Sequence, residues 1–372
     1  MLIKHLNNKK IVIAMSGGVD SSVSAALLLQ LGYRVEGVFM KNWEEDDTIN
    51  YCSSFQDLYD VRKVCKTIGI NLHEINFSEE YWNLVFKSFL YEYKKGNTPN
   101  PDILCNKKIK FHLFFTFAIK ILKADFMATG HYAQIKYFNK TPMLLRSNDC
   151  NKDQTYFLYT LTKKKLKKIL FPIGSLKKNE VRNIAKKINL SISKKPDSTG
   201  ICFIGPAKMS KFLSRFIRYY PGNIITDSGY IIGQHTGLMN YTIGQRKGIN
   251  IGGKYEKKKI PWYVIQKDLK TNSLVVIQGS KHYKLMSMGL LAYKVNWINN
   301  INITQILYCT AKTRYQQQDV SCKVILLNLN TVQVFFNIPV SSITTGQSIV
   351  FYMLKICIGG GIIKKSFPII KN

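Results

Sequence analysis

Residues 11–22 read Ile-Val-Ile-Ala-Met-Ser-Gly-Gly-Val-Asp-Ser-Ser. An apolar run ends in a Ser-Gly-Gly turn, and Val19, Val23, Ala26, Leu27 and Leu31 then recur at helical spacing. The pattern predicts strand, glycine loop and helix. Gly17 and Gly18 carry no Cβ, so the backbone there can close tightly on a phosphate. N–H groups at the helix start point at such an anion, and the helix dipole favours it. The hydroxyls of Ser16, Ser21 and Ser22 add donors. The loop lacks the Gly-Lys-Ser/Thr ending of a Walker A loop. It also lacks the three spaced glycines of a dinucleotide fingerprint.

Two cysteines sit in polar, loop-like settings. The first follows Asn97-Thr98-Pro99-Asn100-Pro101-Asp102-Ile103-Leu104 as Cys105. Pro99 and Pro101 set an extended loop, and a helix pattern starts close to Cys105. A cysteine near a helix N-terminus with lysines beside it holds its thiolate well, and the thiolate is the attacking species. Asp102 suits general acid/base work or the orienting of a substrate. The plainer alternative is a buried cysteine at a helix start. The second is Cys202, in a loop marked by Pro196, Asp197 and Gly200. Two such thiols could form a disulfide or pass a sulfur atom by thiol–disulfide exchange. Cys52, Cys65, Cys150, Cys309, Cys322 and Cys357 are scattered, and most of them read as small buried hydrophobes. No Cys-x-x-Cys pair occurs, which argues against a zinc ribbon.

These residues need a scaffold. Strands are expected at Val35–Met40, Asn71–Asn76 and Phe126–Thr129, with helices at 55–68 and Asn179–Ile188. Strands alternating with helices predict an α/β fold with a doubly wound parallel sheet, over residues 1–205. Residues 206–280 are rich in Gly and Tyr and suit a small mixed α+β domain. From 281 to 372, short strand-like runs separated by turns predict a C-terminal β-barrel.

The chain has 372 residues, 46% of them apolar, enough for two or three cores. No apolar run reaches the roughly 18 residues of a membrane span, and the N-terminus lacks a signal-peptide pattern. A cytoplasmic protein with reduced thiols and no membrane partner is expected. The formal charge of +32 fits a nucleic-acid partner. It also fits a chain crowded with Lys, Asn and Ile by compositional drift.

Ser16-Gly17-Gly18-Val19-Asp20-Ser21-Ser22 resembles the PP-loop of ATP pyrophosphatases, which cut ATP between the α and β phosphates. The whole chain resembles the bacterial tRNA-specific 2-thiouridylases, the MnmA family. The likeness runs through Met40-Lys41-Asn42-Trp43, Thr98 to Asn106, Ala128-Thr129-Gly130-His131-Tyr132, Lys152 to Tyr159 and Asp197 to Gly205. It continues in Gly237-Leu238-Met239, Gly244 to Gly248 and Gly359 to Ile363. Two departures are Thr345-Gly346 in place of proline-glycine before Gln347, and Lys195-Pro196 before Asp197.

That resemblance implies replacement of the C2 oxygen of a wobble uridine by sulfur, after ATP adenylates the oxygen. It assigns ATP to Ala14, Met15, Ser16, Gly17, Gly18, Val19, Asp20 and Ser21, with Met40 and Gly130 beside the adenine and ribose. Magnesium would accompany ATP near Asp20. Cys202 would carry a persulfide, Cys105 would release its sulfur, and Asp102 would do the acid/base work. Asn100, Pro101, Asp102, His131, Lys152, Asp153, Gln154, Arg314, Tyr315 and Gln347 would touch the tRNA. The implied acceptors are lysine, glutamate and glutamine tRNAs, with sulfur from a relay protein fed by a cysteine desulfurase. The competing readings are another PP-loop ATP-dependent ligase and a non-catalytic basic tRNA-binding protein.

Overall fold

A computed structural model describes residues 8–44, 53–197, 212–251, 260–299 and 306–369. Cys202 and the boundary drawn at residue 205 lie outside the described residues.

Five parallel strands form the first sheet: β1 (Lys10–Met15), β2 (Arg34–Lys41), β3 (Asn71–Asn76), β4 (Phe126–Ala128) and β7 (Ile169–Leu170). Their order is β3-β2-β1-β4-β7. β1 is buried on both faces, so its side chains feed two cores. Val12 and Ala14 join one apolar cluster, and Ile11, Ile13 and Met15 join the other. The second is covered by α1 (Val19–Gln30), α2 (Ser53–Ile68) and α5 (Lys178–Lys187). The first is covered by two long helices, α3 (residues 78–94) and α4 (residues 101–121), both with wide-turned stretches. Trp43 and Trp82 pack here with Phe86, ring centroids 4.9–5.6 Å apart, as core residues.

A mixed four-stranded sheet follows, in the order β10-β11-β8-β9: β8 (Gly222–Thr226), β9 (Ile231–His235), β10 (Trp262–Asp268) and β11 (Ser273–Gln278). It buries its own small core around Ile224, Val264 and Leu274. The last unit is a six-stranded antiparallel barrel of β12 (Met286–Trp297), β13 (Ile306–Lys312), β14 (Val320–Asn328), β15 (Thr331–Ser341), β16 (Ser348–Met353) and β17 (Ile356–Pro368). Pairing of β12 with β17 closes it.

One connection has no counterpart in the sequence-based expectation. A hairpin of β5 (Ala133–Phe138) and β6 (Thr141–Arg146) leaves the parallel sheet and pairs with barrel strand β17, Leu144 opposite Cys357. The segment directly after β4 thus belongs to the barrel's sheet. No helix among the described residues is long and apolar enough to cross a membrane.

Candidate active site

The strand order reverses direction between β1 and β4, which in such sheets opens a crevice at the carboxyl ends of the strands. Ser16-Gly17-Gly18 leaves β1 at this point and Gly130 leaves β4. Gly17 has φ +73°, and a Cβ there would lie 2.8 Å from the Asp57 carbonyl oxygen. Gly130 is equally constrained: a Cβ would lie 2.7 Å from the Ser21 nitrogen and 2.9 Å from the Asp20 carbonyl carbon. The two glycines let α2 and the β4 end press directly on the loop.

Hydroxyls brace the loop from within. Ser22 Oγ donates to the Gly18 carbonyl at 2.9 Å, Ser21 Oγ donates to it at 3.2 Å, and the Ser16 N–H donates to Ser21 Oγ at 3.2 Å. Gly18 caps α1 without a side-chain acceptor, so the first N–H groups of the helix have no capping side chain. Met40 lies at the carboxyl end of β2, one residue before its last, and packs with Trp43 against the first core.

Asp20 is not a solitary carboxylate. Lys178 Nζ donates to both its oxygens at 2.8 Å, and the Tyr132 hydroxyl donates at 3.0 Å. Burial, and then the Asp20 charge, pushes the Tyr132 hydroxyl well above its ordinary value, so it remains a donor. Lys178 also lies 2.7 Å from Asp197, which Lys152 and Arg182 hold at 2.7 and 2.8 Å. Burial raises the Asp197 carboxyl, but hydrogen bonds from Lys152 and Lys178 outweigh it and hold the pKa at about 2. Lys195 bridges Asp57 and Asp60 at 2.7 and 2.5 Å. Lys195 and Asp197 are therefore anchored to α2 and to the glycine loop through charge. Lys178 and Tyr132 are the functional candidates that sequence reasoning missed. Tyr132 stood at the end of a motif, whereas Lys178 was one among 54 basic residues.

Cys105 lies at the fifth position of α4. Asn100 caps this helix, its side-chain oxygen accepting the N–H of Asp102 at 3.1 Å and of Ile103 at 3.3 Å, with Pro101 at the first helical position. Asp102 and Cys105 are three residues apart and so share a face. The sequence pattern suggested a thiol beside lysines at an open helix start, but Cys105 is 1% exposed. It packs in the same cluster as Val12 and Ala14, beneath the strand that carries the loop.

Gly130 and His131 link the two halves. Gly130 lies on the α1 backbone, and His131 packs between Phe111 of α4 (5.7 Å) and Phe171 (6.1 Å). Thr129 Oγ1 lies 2.7 Å from His131 Nδ1. Burial, then the Lys110 charge, drives the imidazole pKa well down, so His131 is neutral here.

The remaining expected tRNA contacts are placed as follows. Asp153 is buried, accepting from Ser147 N–H and from Thr155 N–H and hydroxyl at 2.9–3.3 Å. The Gln154 side-chain oxygen accepts the Tyr132 N–H at 2.9 Å. Arg314 donates to the carbonyls of Ile243 and Ser342 and to the Thr344 hydroxyl at 2.6–3.1 Å, joining the β9–β10 connection of the middle unit to the barrel. Tyr315 stacks near Phe157 with ring centroids 4.6 Å apart. Gln347 donates to the Thr98 carbonyl at 2.7 Å, and Thr98 N–H donates to the Thr345 carbonyl at 3.0 Å. The barrel therefore grips the loop that leads to Asp102 and Cys105.

Three family models match this chain: "tRNA methyl transferase HUP domain" over residues 9–206, "tRNA methyl transferase PRC-barrel domain" over 210–278, and "Aminomethyltransferase beta-barrel domain" over 287–363. The chain is 57% identical over 370 residues to the tRNA-specific 2-thiouridylase MnmA of Buchnera aphidicola subsp. Acyrthosiphon pisum, covering 100% of both chains. It is 52% identical over 363 residues to the protein of the same name in Klebsiella pneumoniae, covering 98% of this chain and 99% of that one. Among solved structures, a 4-thiouridine synthetase–RNA complex with bound ATP matches at 16% identity and a TM-score of 0.33, covering 54% of this chain and 46% of that one. A likeness so distant carries no argument about activity.

Proposed function

The chain belongs to the tRNA-specific 2-thiouridylase family, and from that premise we propose how its loop and its cysteines divide the work of a tRNA-uridine 2-sulfurtransferase. ATP lies on Ala14 to Ser21, with its adenosine toward Met40 and Gly130. The loop's backbone amides and hydroxyls, together with Lys178, hold the phosphates. An amide-like carbonyl oxygen is a poor leaving group. The C2 oxygen of the wobble uridine therefore attacks the α-phosphorus, and pyrophosphate departs.

The sulfur half falls to the two cysteines. Cys202 carries the persulfide. Its terminal sulfur bonds to C2 and AMP leaves with the oxygen. The Cys105 thiolate then attacks the Cys202 sulfur, releasing 2-thiouridine and leaving a Cys105–Cys202 disulfide. A thiol reductant supplies the two electrons that reopen it. Asp102 exchanges the proton at the base, which must leave its stack to reach the site. Asn100, Pro101, His131, Lys152, Asp153, Gln154, Arg314, Tyr315 and Gln347 form the tRNA side, by direct contact or by holding those that touch it. Residues 1–205, 206–280 and 281–372 serve as catalytic unit, central tRNA unit and barrel tRNA unit.

Magnesium needs only one or two carboxylates when phosphates supply the other ligands. Asp20 fits that role if the cation replaces the Lys178 ammonium on its oxygens. Such a cation would neutralise phosphate charge. The acceptors we assign are lysine, glutamate and glutamine tRNAs, with sulfur from a relay protein fed by a cysteine desulfurase, in the cytoplasm.

The observation that carries this reading is the link through Gly130 and His131, which joins the nucleotide loop to the helix of Cys105. The test is incubation with unmodified tRNA, magnesium-ATP and a persulfide source, followed by nucleoside analysis. Cys105→Ser and Cys202→Ser should each abolish 2-thiouridine while ATP still binds. Full activity in either variant would overturn the assigned roles.

A further inference from the structure

Where the middle sheet meets the barrel there is a cavity of about 270 Å³. Its walls carry Lys95, Lys267 and Lys284 and no aspartate or glutamate. Ser287, Ser342 and Thr344 line it as well. The cavity has ample room for a phosphate group, and its charge, not its size, points to an anion.

Two of the three lysines have local partners. Lys284 lies 2.8 Å from Asp227, and Lys95 sits 4.2 Å above the Tyr91 ring. Lys267, on β10, has no ion pair among the described residues. Asp268, next along the strand, turns its carboxylate to the N–H groups of Lys270 and Thr271 at 2.9 and 3.3 Å. Burial alone pushes the Lys267 ammonium down to about 8. No carboxylate among the described residues pairs with this half-buried lysine on the cavity wall, so an anion in the cavity would complete it.

We propose that this cavity is a phosphate-binding site, taking either a backbone phosphate of the bound polynucleotide or a free phosphate compound. Its position gives the site a consequence for the reaction. Gly96 and Asn97 form one wall, directly before Thr98, and Thr344 and Thr345 form another. These are the two segments joined by the Thr98–Thr345 and Gln347–Thr98 hydrogen bonds. A phosphate held there bears on the joint that sets the loop ahead of Asp102 and Cys105. The polynucleotide source rests on the tRNA reading above; the free-phosphate source does not.

The experiment uses the full chain and Lys267→Met, which keeps the stem and removes the charge. Binding of unmodified tRNA is measured over a salt series, and inorganic phosphate is titrated calorimetrically with the nucleotide loop saturated by ATP. A log K against log salt slope shallower by about one in the variant identifies an RNA phosphate. An unchanged slope, with phosphate binding weakened about tenfold or more by the substitution, identifies a free phosphate compound. An unchanged slope with no phosphate binding that depends on Lys267 overturns the proposal. In that case unaltered thiolation by the variant would leave the thiolase reading standing.

Discussion

The nucleotide loop and the Cys105 loop are built in opposite ways. The first is braced by hydrogen bonds among Ser16, Gly18, Ser21 and Ser22, all within seven residues. The second has one local brace, the Asn100 cap, and is otherwise held from outside. Thr98 is gripped by Thr345 and Gln347 of the barrel, and its hydroxyl lies 3.5 Å from that of Thr242, in the connection between β9 and β10. A phosphate cradle must be rigid before its ligand arrives, and local bonds achieve that. On the proposed reading, a loop that receives a large RNA gains from depending on the units assigned to bind that RNA. Its order can then follow theirs.

If the contrast is right, changes near the nucleotide loop should damage ATP binding, and changes in the barrel should damage thiolation alone. The strongest challenge is Gly130→Ala. Its Cβ meets backbone of Asp20 and Ser21, which cannot swing aside as a side chain can. Overpacking of this kind costs about 3 kcal/mol, or ~100-fold. ATP affinity measured by calorimetry should fall by that order. An unaltered affinity would mean that the loop is not the nucleotide site.

Arg314→Ala tests the joint between the middle unit and barrel. It leaves two carbonyls and a hydroxyl without their half-buried donor, at a cost of about 2 kcal/mol. Denaturant midpoints should drop accordingly while ATP affinity stays within twofold. Gly346→Ala comes next. Its φ is +86°, and a Cβ would lie 2.9 Å from that of Asn97. The strain is roughly 1–2 kcal/mol. Thiolation turnover should fall about tenfold with ATP affinity unchanged; a parallel loss of ATP affinity would erase the contrast.

The smallest effect concerns pH. The folded Asp197 pKa is depressed from 3.8 to about 2. Its contribution to stability is thus present above pH 3.8 and lost as pH falls toward about 2. The carboxylate is about a third exposed, so the effect should stay below roughly 1 kcal/mol. Asp197→Asn should be less stable than the parent protein at pH 7, and the gap should narrow by pH 3. A constant gap would show that the lysines around Asp197 do not act through its charge.

Much of this molecule was legible in the chain. The glycine loop, the parallel strands that flank it, a helix near Cys105 and the run of barrel strands all follow from local pattern, although that helix starts four residues earlier than expected, at Pro101, on the Asn100 cap. The burial of Cys105 was not legible, because lysines adjacent in sequence say nothing about what packs over a thiol. Arg314 read as a strand residue or an RNA contact. Its three acceptors come from positions as distant as Ile243.

The sequence by itself determined the chemistry available: a phosphate loop without a Walker lysine, Asp102 beside Cys105, and a second cysteine at 202. These depend on backbone freedom and on bonds between residues a few positions apart. Only the tertiary structure decided which charges meet. Lys178 reaches Asp20 across 158 residues, and Gln347 reaches Thr98 across 249. It also carried the β5–β6 hairpin out of the first unit and into the barrel's sheet. Such meetings depend on the path of the whole chain through four cores, and no short window of sequence contains that path.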